Sequence, residues 1–357
     1  MVGKYKKIKY GSKDVLAFFP YALNELYITS KTDEKIGELI SEIEDVFPLD
    51  NPANKFFLDL LLDQEMLYSY KLNGVIQTFA DIYAEIPFNL FKQELKEKKE
   101  IYEYAVTHIN KLSYSNRFLK DLHHALFNKN KRFYPGEFRR VVSFIGKNID
   151  EASYIAPPVS HMQDNMDEME LFMYRDDISV YIRASLLYYQ IMANLPFLIG
   201  NQEIARLVSI LYLIEFGGIP HYIPLSKYLE DIEKYRFKAI KEGNINIFLI
   251  KYLEAIKDAL KDAKRSIRSY NNLKHKQASI IDKSSHTIYQ KRRLHEILRR
   301  SHRYIYLHSE ILSKEFSVLP KTIVKRYRFL IELGILKTKR TYYSKQYYNH
   351  ALLRILS

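Results

Sequence analysis

The stretch NLPFLIGNQEIARL, residues Asn194 to Leu207, sets an apolar approach, a Gly-Asn corner and the start of a helix in a row. A Gly-Asn pair ahead of a helix presents unpaired backbone N–H groups at the positive end of the helix dipole, a natural seat for a phosphate. Here Gln202 and Glu203 follow the corner directly. A carboxylate in the first helical turn occupies the same favourable potential that a phosphate would use. The expected chemistry is an anion site partly filled by the protein's own side chains.

A second group of chemistry-bearing residues is defined by charge. The chain has 357 residues and a formal net charge of +13. From Lys264 to Ser357 there are 22 Lys and Arg against 5 Asp and Glu, whereas the preceding residues carry 33 against 37. The whole basic excess thus sits in the last quarter of the chain. Such a concentration is the electrostatic footprint of a nucleic-acid partner, with an anionic membrane as the lesser option and a solvated basic helix face as the plain alternative. Within it, Lys321, Lys325, Arg326 and Arg328 fall on a helical pattern whose apolar positions are Ile323, Tyr327, Leu330 and Ile331. Lys339 and Arg340 lie on the alternating segment that follows.

Elements to position these groups follow from periodicity. Before about residue 112 the pattern is mostly helical, as in DEKIGELISEIEDVF and NKFFLDLLLDQEMLYSYKL. NRFLKDLHHALF, SVYIRASLLYYQIMANL and EIARLVSILYLIEFGG read as more deeply buried helices. Between the first two lies YPGEFRRVVSFIGKNIDEASYIAPPVSHM, where Pro-Gly and Pro-Pro mark turns and RVVSFI and SYIAPP suit short extended pieces. NIFLIKYLEAIKDALKDAKRSIRSY carries Leu249, Leu253, Ile256 and Leu260 on one stripe and turns basic towards its end. The final residues spell helix, turn, helix and basic ribbon, with Pro320 suited to a first helical position and Gly334 to a C-terminal cap. That order describes a winged helix-turn-helix, whose recognition helix reads DNA; the plain alternative is a dimerisation or protein-docking module. Tyr342, Tyr343, Tyr347 and Tyr348 fit half-buried strand positions better than base-stacking platforms. His123 and His124 are neighbours on a helix and point apart, which argues against a shared metal.

Composition closes off other classes. There is no Cys, which excludes disulfides and thiolate metal sites and suits a reducing interior. The N-terminus MVGKYKKIKY lacks the apolar segment of a signal peptide, and no run is long enough to span a membrane, so a cytoplasmic protein is expected.

Taken together, PGEFRRVVSFIG and the later LPFLIGNQEIAR resemble the Fic (filamentation, death-on-curing) family. Its motif runs H-P-F-x-[DE]-G-N-G-R-x-x-R, and its PGEFR segment lies ahead of a target-binding flap, the place of SYIAPPVSHM here. Upstream, YSYKLNG resembles the family's inhibitory-helix motif, [ST]-x-x-x-E-[GN], with Ser69 and Gly74 at its ends and Asn73 at the Glu position. The resemblance implies a mainly α protein: a Fic-like helical core with a short β-hairpin flap, plus a C-terminal winged helix-turn-helix domain. The implied boundaries are 1–110 for an N-terminal helical region, 111–262 for the core, 263–303 for a basic connecting helix and 304–357 for the winged helix.

In active relatives the motif His takes the proton from a target hydroxyl as it attacks the α-phosphate of ATP. Leu195 stands at that position, Ile199 at the Mg²⁺-holding acid, Gln202 at the second Gly and Glu203 at the first Arg. Pro196, Phe197, Gly200, Asn201 and Arg206 keep the motif's identity as a remnant of the nucleotide site. Loss of a general base costs about 10²–10⁴ in rate. The expectation is a catalytically degenerate Fic protein, without cofactor or metal, that binds DNA. A protein partner on the flap and a homodimer are compatible with it, and a membrane is not expected. The alternatives are a nucleotide-dependent transferase of altered chemistry, which would need ATP and Mg²⁺, and a protein that binds an active relative.

Overall fold

The computed structural model describes residues 1–30, 33–47, 49, 55–84, 90–108, 114–340 and 345–356. In chain order the elements are β1 (Gly3–Tyr10), β2 (Lys13–Pro20), α1 (Leu23–Ser30), α2 (Glu34–Glu44), α3 (Phe56–Leu72), α4 (Phe79–Tyr83), α5 (Leu90–His108), α6 (Asn116–Phe127), β3 (Phe144–Ile145), β4 (Tyr154–Ile155), α7 (Val159–Phe172), α8 (Val180–Asn194) and α9 (Asn201–Phe216). They continue as α10 (Ile232–Glu242), α11 (Asn246–Asp282), α12 (Ile288–Tyr304), β5 (Tyr306–Leu307), α13 (Ser309–Glu315), α14 (Pro320–Glu332), β6 (Lys337–Arg340), β7 (Lys345–Tyr348) and α15 (His350–Leu356). Among the described residues the chain is mainly helical, with three small antiparallel sheets. It divides into two compact units: Met1–Phe47 with Lys98–Leu260, and Pro48–Glu97 with Lys261–Ser357. Among the described residues, no helix is long and apolar enough to cross a membrane.

The first unit is built around α8 and α9. Tyr181 to Asn194 and Glu203 to Leu213 are buried without interruption, so both helices are apolar nearly all round and have other elements on every side. Ser209 finds its partners inside: its Oγ donates to Ala184 C=O and receives from the Tyr252 hydroxyl at 2.8 Å. Leu249, Leu253, Ile256 and Leu260 of α11 are all fully buried.

The N-terminal region read as mostly helical opens instead with a β-hairpin, β1 paired to β2 from Gly3↔Pro20 to Tyr10↔Lys13. The reason is local. Gly11 takes a positive φ of 59° in the turn, while β2 buries Ala17, Phe18 and Pro20 and leaves β1 in solvent. A lysine-rich outer strand has no apolar alternation to announce itself. A second short hairpin, β3–β4, lies between the PGEFR segment and α7, with Phe144 opposite Ile155. The two hairpins meet through a Tyr10–Phe144 edge contact and a Lys13–Asp150 ion pair at 2.6 Å.

The second unit joins α3 to the C-terminal elements. Phe57 stacks on Tyr270 at 4.2 Å, and Gln64 Nε2 donates to the Leu356 carbonyl at 2.8 Å. The strands form a sheet in the order β5-β7-β6. Ile281, Leu294, Ile297, Leu312, Ile323, Tyr327, Leu330 and Tyr347 share one core, with Ile331 half-buried against it. α14 begins with Pro320 and ends where Gly334, at φ 72°, lets Ile335 N–H turn back to Leu330 C=O. Buried Asn349 couples the sheet to the helices: it exchanges two hydrogen bonds with Gln277, both at 3.1 Å, and donates to Ser301 Oγ.

Candidate functional site

The Gly-Asn corner joins α8 to α9, the two central helices of the first unit. α8 ends at Leu195, which sits in the left-handed region at φ 43° and is buried. The chain then runs through Pro196 and Phe197 to Gly200, the N-cap of α9 at φ 73°. Only glycine suits that position. Besides the positive φ, a Cβ there would lie 2.3 Å from the Phe127 ring. Asn201 closes the loop on itself: its Oδ1 receives Phe197 N–H and its Nδ2 donates to Phe197 C=O, each at 2.8 Å. Both ends of the Asn201 side-chain amide are thus spent on the loop's own backbone.

Glu203, in the first turn of α9, is buried and accepts from Lys98 Nζ at 3.0 and 3.2 Å. Lys98 comes from α5, and its ammonium also lies 5.7 Å from the Phe127 ring centre. The end of the helix thus has its anion already, a carboxylate with its own cation, roofed by an aromatic ring. Arg206 follows three residues on along the same helix, yet the partner of Glu203 is the distant Lys98. Arg206 is 1% exposed and lies inside the α8–α9 packing, near enough to Tyr188 to act on its hydroxyl.

Two residues that sequence reasoning left without a role hold this arrangement. Arg139, the last residue of PGEFR, is buried and donates to the carbonyls of Val141 (2.7 Å), Pro157 (2.7 Å), Asn194 (3.1 Å) and Leu195 (2.9 Å). Its own N–H donates to Pro196 C=O at 2.7 Å. Burial pulls its guanidinium down to about 10, still charged at neutral pH. His123 on α6 receives Gly136 N–H at Nδ1 (2.9 Å), which leaves the proton on Nε2 to donate to Ile199 C=O (3.1 Å). Its ring stacks on Phe197 at 3.9 Å, and burial holds its pKa down at about 4. His124 turns to Pro135 C=O. Among the described residues no group of three His, Asp or Glu side chains gathers to hold a metal ion. A cavity of about 360 Å³ opens beside the corner, lined by Tyr134, Glu137, Phe138, Arg140, Val141 and Leu198.

Ser69, Asn73 and Gly74 belong to the second unit. Ser69 is buried in the last turns of α3, Asn73 caps that helix, and Gly74 at φ 81° ends it. On α14, Lys321, Lys325 and Arg328 are exposed and Arg326 is half-buried, opposite the buried Ile323, Tyr327 and Leu330. Lys339 and Arg340 are exposed on β6. Tyr347 is buried against Tyr327 at 4.7 Å, and Tyr348 stacks on Tyr306 at 5.3 Å. Tyr342 and Tyr343 lie outside the described residues.

The site is thus an αL-capped loop between two buried helices, held by Arg139 and flanked by a short hairpin. Residues 111–213 match the Fic/DOC family. The chain therefore carries a Fic domain over these residues. Among solved structures, it is similar to a Fic family protein from Desulfovibrio desulfuricans, at 16% identity and a TM-score of 0.55, over 89% of this chain and 96% of that one. It is also similar to a Fic domain containing signaling protein from Bacteroides thetaiotaomicron, at 15% identity and a TM-score of 0.49, over 66% and 97%. No curated protein matches it.

Proposed function

We propose that the Fic domain has given up adenylyl transfer and that the protein is a DNA-binding regulator acting through a basic winged helix at its C-terminus. The observation that carries the reading is the division of α14 into two faces. Ile323, Tyr327 and Leu330 are fully buried, and Lys321, Lys325 and Arg328 stand in solvent, as do Lys339 and Arg340 of β6. A helix that anchors one face in a core and offers the other as a row of cations is built to lie in a major groove, with the hairpin following the backbone. The loss of catalysis is supported by Leu195, which cannot accept a proton, and by Ile199, which cannot hold a cation. The ion pair of Glu203 with Lys98 at the end of α9 opposes triphosphate charge in the same place.

A gel shift with genomic fragments surrounding the gene tests this reading. Binding should fall with salt at a log–log slope of about −5 if some six cations neutralise phosphates. Lys325→Ala with Arg326→Ala should weaken binding to every sequence, and should blur site preference if either reaches a base edge. No shift at low salt, or a shift indifferent to this double change, overturns it. The alternative of a transferase with altered chemistry predicts labelling of host proteins by α-labelled ATP and Mg²⁺ that disappears with Arg206→Ala. The present reading predicts none.

A further inference from the structure

In the C-terminal unit a cavity of about 610 Å³ opens against α11 and α12. Lys274 and Ala278 of α11 line it together with Arg292, Leu298, Arg299 and His302 of α12. Its size is that of a small-molecule site, and an apolar floor with a few converging polar groups is the usual composition of one. Ala278, Leu298 and the ring of Tyr270 supply the apolar surface. Arg292 and Arg299 are exposed at the mouth and Lys274 is half-buried. Glu296 also lines the space, but Arg293 takes its carboxylate at 2.9 Å and Arg292 stands 4.0 Å away. His295 is held by Asp282 at 2.7 Å.

The independent observation is His302. It is 2% exposed, forms part of the wall, and neither ring nitrogen has a hydrogen-bond partner. Burial, helped by the Lys274 charge, holds the ring neutral with a pKa down at about 4. A neutral imidazole carries one donor and one acceptor, and native proteins seldom leave such a pair unmet without a water, ion or ligand to serve it. Tyr270 meets the imidazole edge-on at 5.5 Å, so the ring is fixed by packing and not by hydrogen bonds.

We propose that this cavity binds a small organic anion, its planar apolar body against Tyr270, Ala278 and Leu298 and its charge at Arg292, Arg299 and Lys274. His302 lies in the wall against that body. Such a ligand would occupy the same unit as α14, where a regulator would receive a chemical signal. The inference does not depend on the nucleic-acid reading, because the cavity's residues are distinct from the cations of α14 and β6.

The test uses the full chain and two fluorescent probes, anionic 8-anilinonaphthalene-1-sulfonate and neutral N-phenyl-1-naphthylamine. The anionic probe should bind saturably, one per chain. Arg292→Ala with Arg299→Ala should weaken it at least tenfold and leave the neutral probe unchanged. Ala278→Trp, which fills the cavity from a half-buried position, should weaken both. Circular dichroism confirms that each variant is folded, and either variant alone is decisive. Absence of saturable binding, or an anionic-probe affinity unchanged in either variant, overturns the proposal. So does displacement of the probe by duplex DNA together with loss of DNA affinity in Ala278→Trp, since the cavity would then belong to nucleic acid.

Discussion

At the scale of single residues, the corner is held by groups that each satisfy one stringent demand. Gly200→Ala meets both a positive φ and the Phe127 ring. The backbone part costs about 1–2 kcal/mol and the overpacking about 1–3 kcal/mol, measured as a shift in urea midpoint. Adding Phe127→Ala should recover less than the steric share, because it opens a cavity of its own. Lys98→Met should cost about 3–5 kcal/mol, since it strands the buried Glu203 carboxylate. Glu203→Gln in the same chain should restore part of the loss. His123 gives a pH dependence with a definite sign. Its folded pKa of about 4 lies below the ordinary 6.5, so the unfolded chain takes up a proton that the folded chain refuses. The stability from a neutral His123 is complete above pH 6.5 and is lost as the pH falls towards 4. His123→Phe keeps a ring against Phe197 and should melt lower at pH 7, yet show a shallower decline down to pH 4.5. His302 titrates over the same window, so some decline should persist.

At the scale of elements, Arg139 ties four carbonyls from three segments: its own loop, the end of the flap hairpin and the end of α8. One planar guanidinium with five donors does this; an ammonium has three and no plane. Arg139→Lys should therefore raise hydrogen exchange through residues 141–158 by tenfold or more, while exchange in the middle of α8 stays slow. Equal exchange in both proteins would mean that packing alone holds the flap. In the other unit the same logic applies to Asn349, whose paired bonds with Gln277 join the sheet to α11.

For the molecule as a whole, the division into units follows packing and not chain order. Residues 48–97 group with 261–357, so α3 depends on elements two hundred residues further on. A chain cut after Ala263 keeps α3 but removes Tyr270, α12 and α15, leaving Phe57 and Gln64 without their partners. Limited trypsin digestion should then cleave at Lys55 and Lys71 far faster than in the intact chain. Unchanged cleavage would show that α3 is held from elsewhere.

Local pattern determined a good deal. Buried α8 and α9, the stripe of α11, the Pro320 start and Gly334 end of α14 and the Gly200 corner are all written within a few residues, because helix period, caps and positive φ are short-range demands. The Fic resemblance was legible for the same reason, being carried by contiguous motifs. What only the tertiary structure decided is pairing across distance. Lys98 is one of several lysines on a charged helix, and nothing in its neighbourhood marks it as the partner of a carboxylate 105 residues away. Arg139 ends the PGEFR segment, but its four acceptors are backbone carbonyls, which every residue has and no sequence distinguishes. The first hairpin escaped because the polar β1 buries nothing. An anion-binding corner was predicted from its residues; that the protein answers it with its own ion pair is a property of the fold, which alone brings α5 to the end of α9.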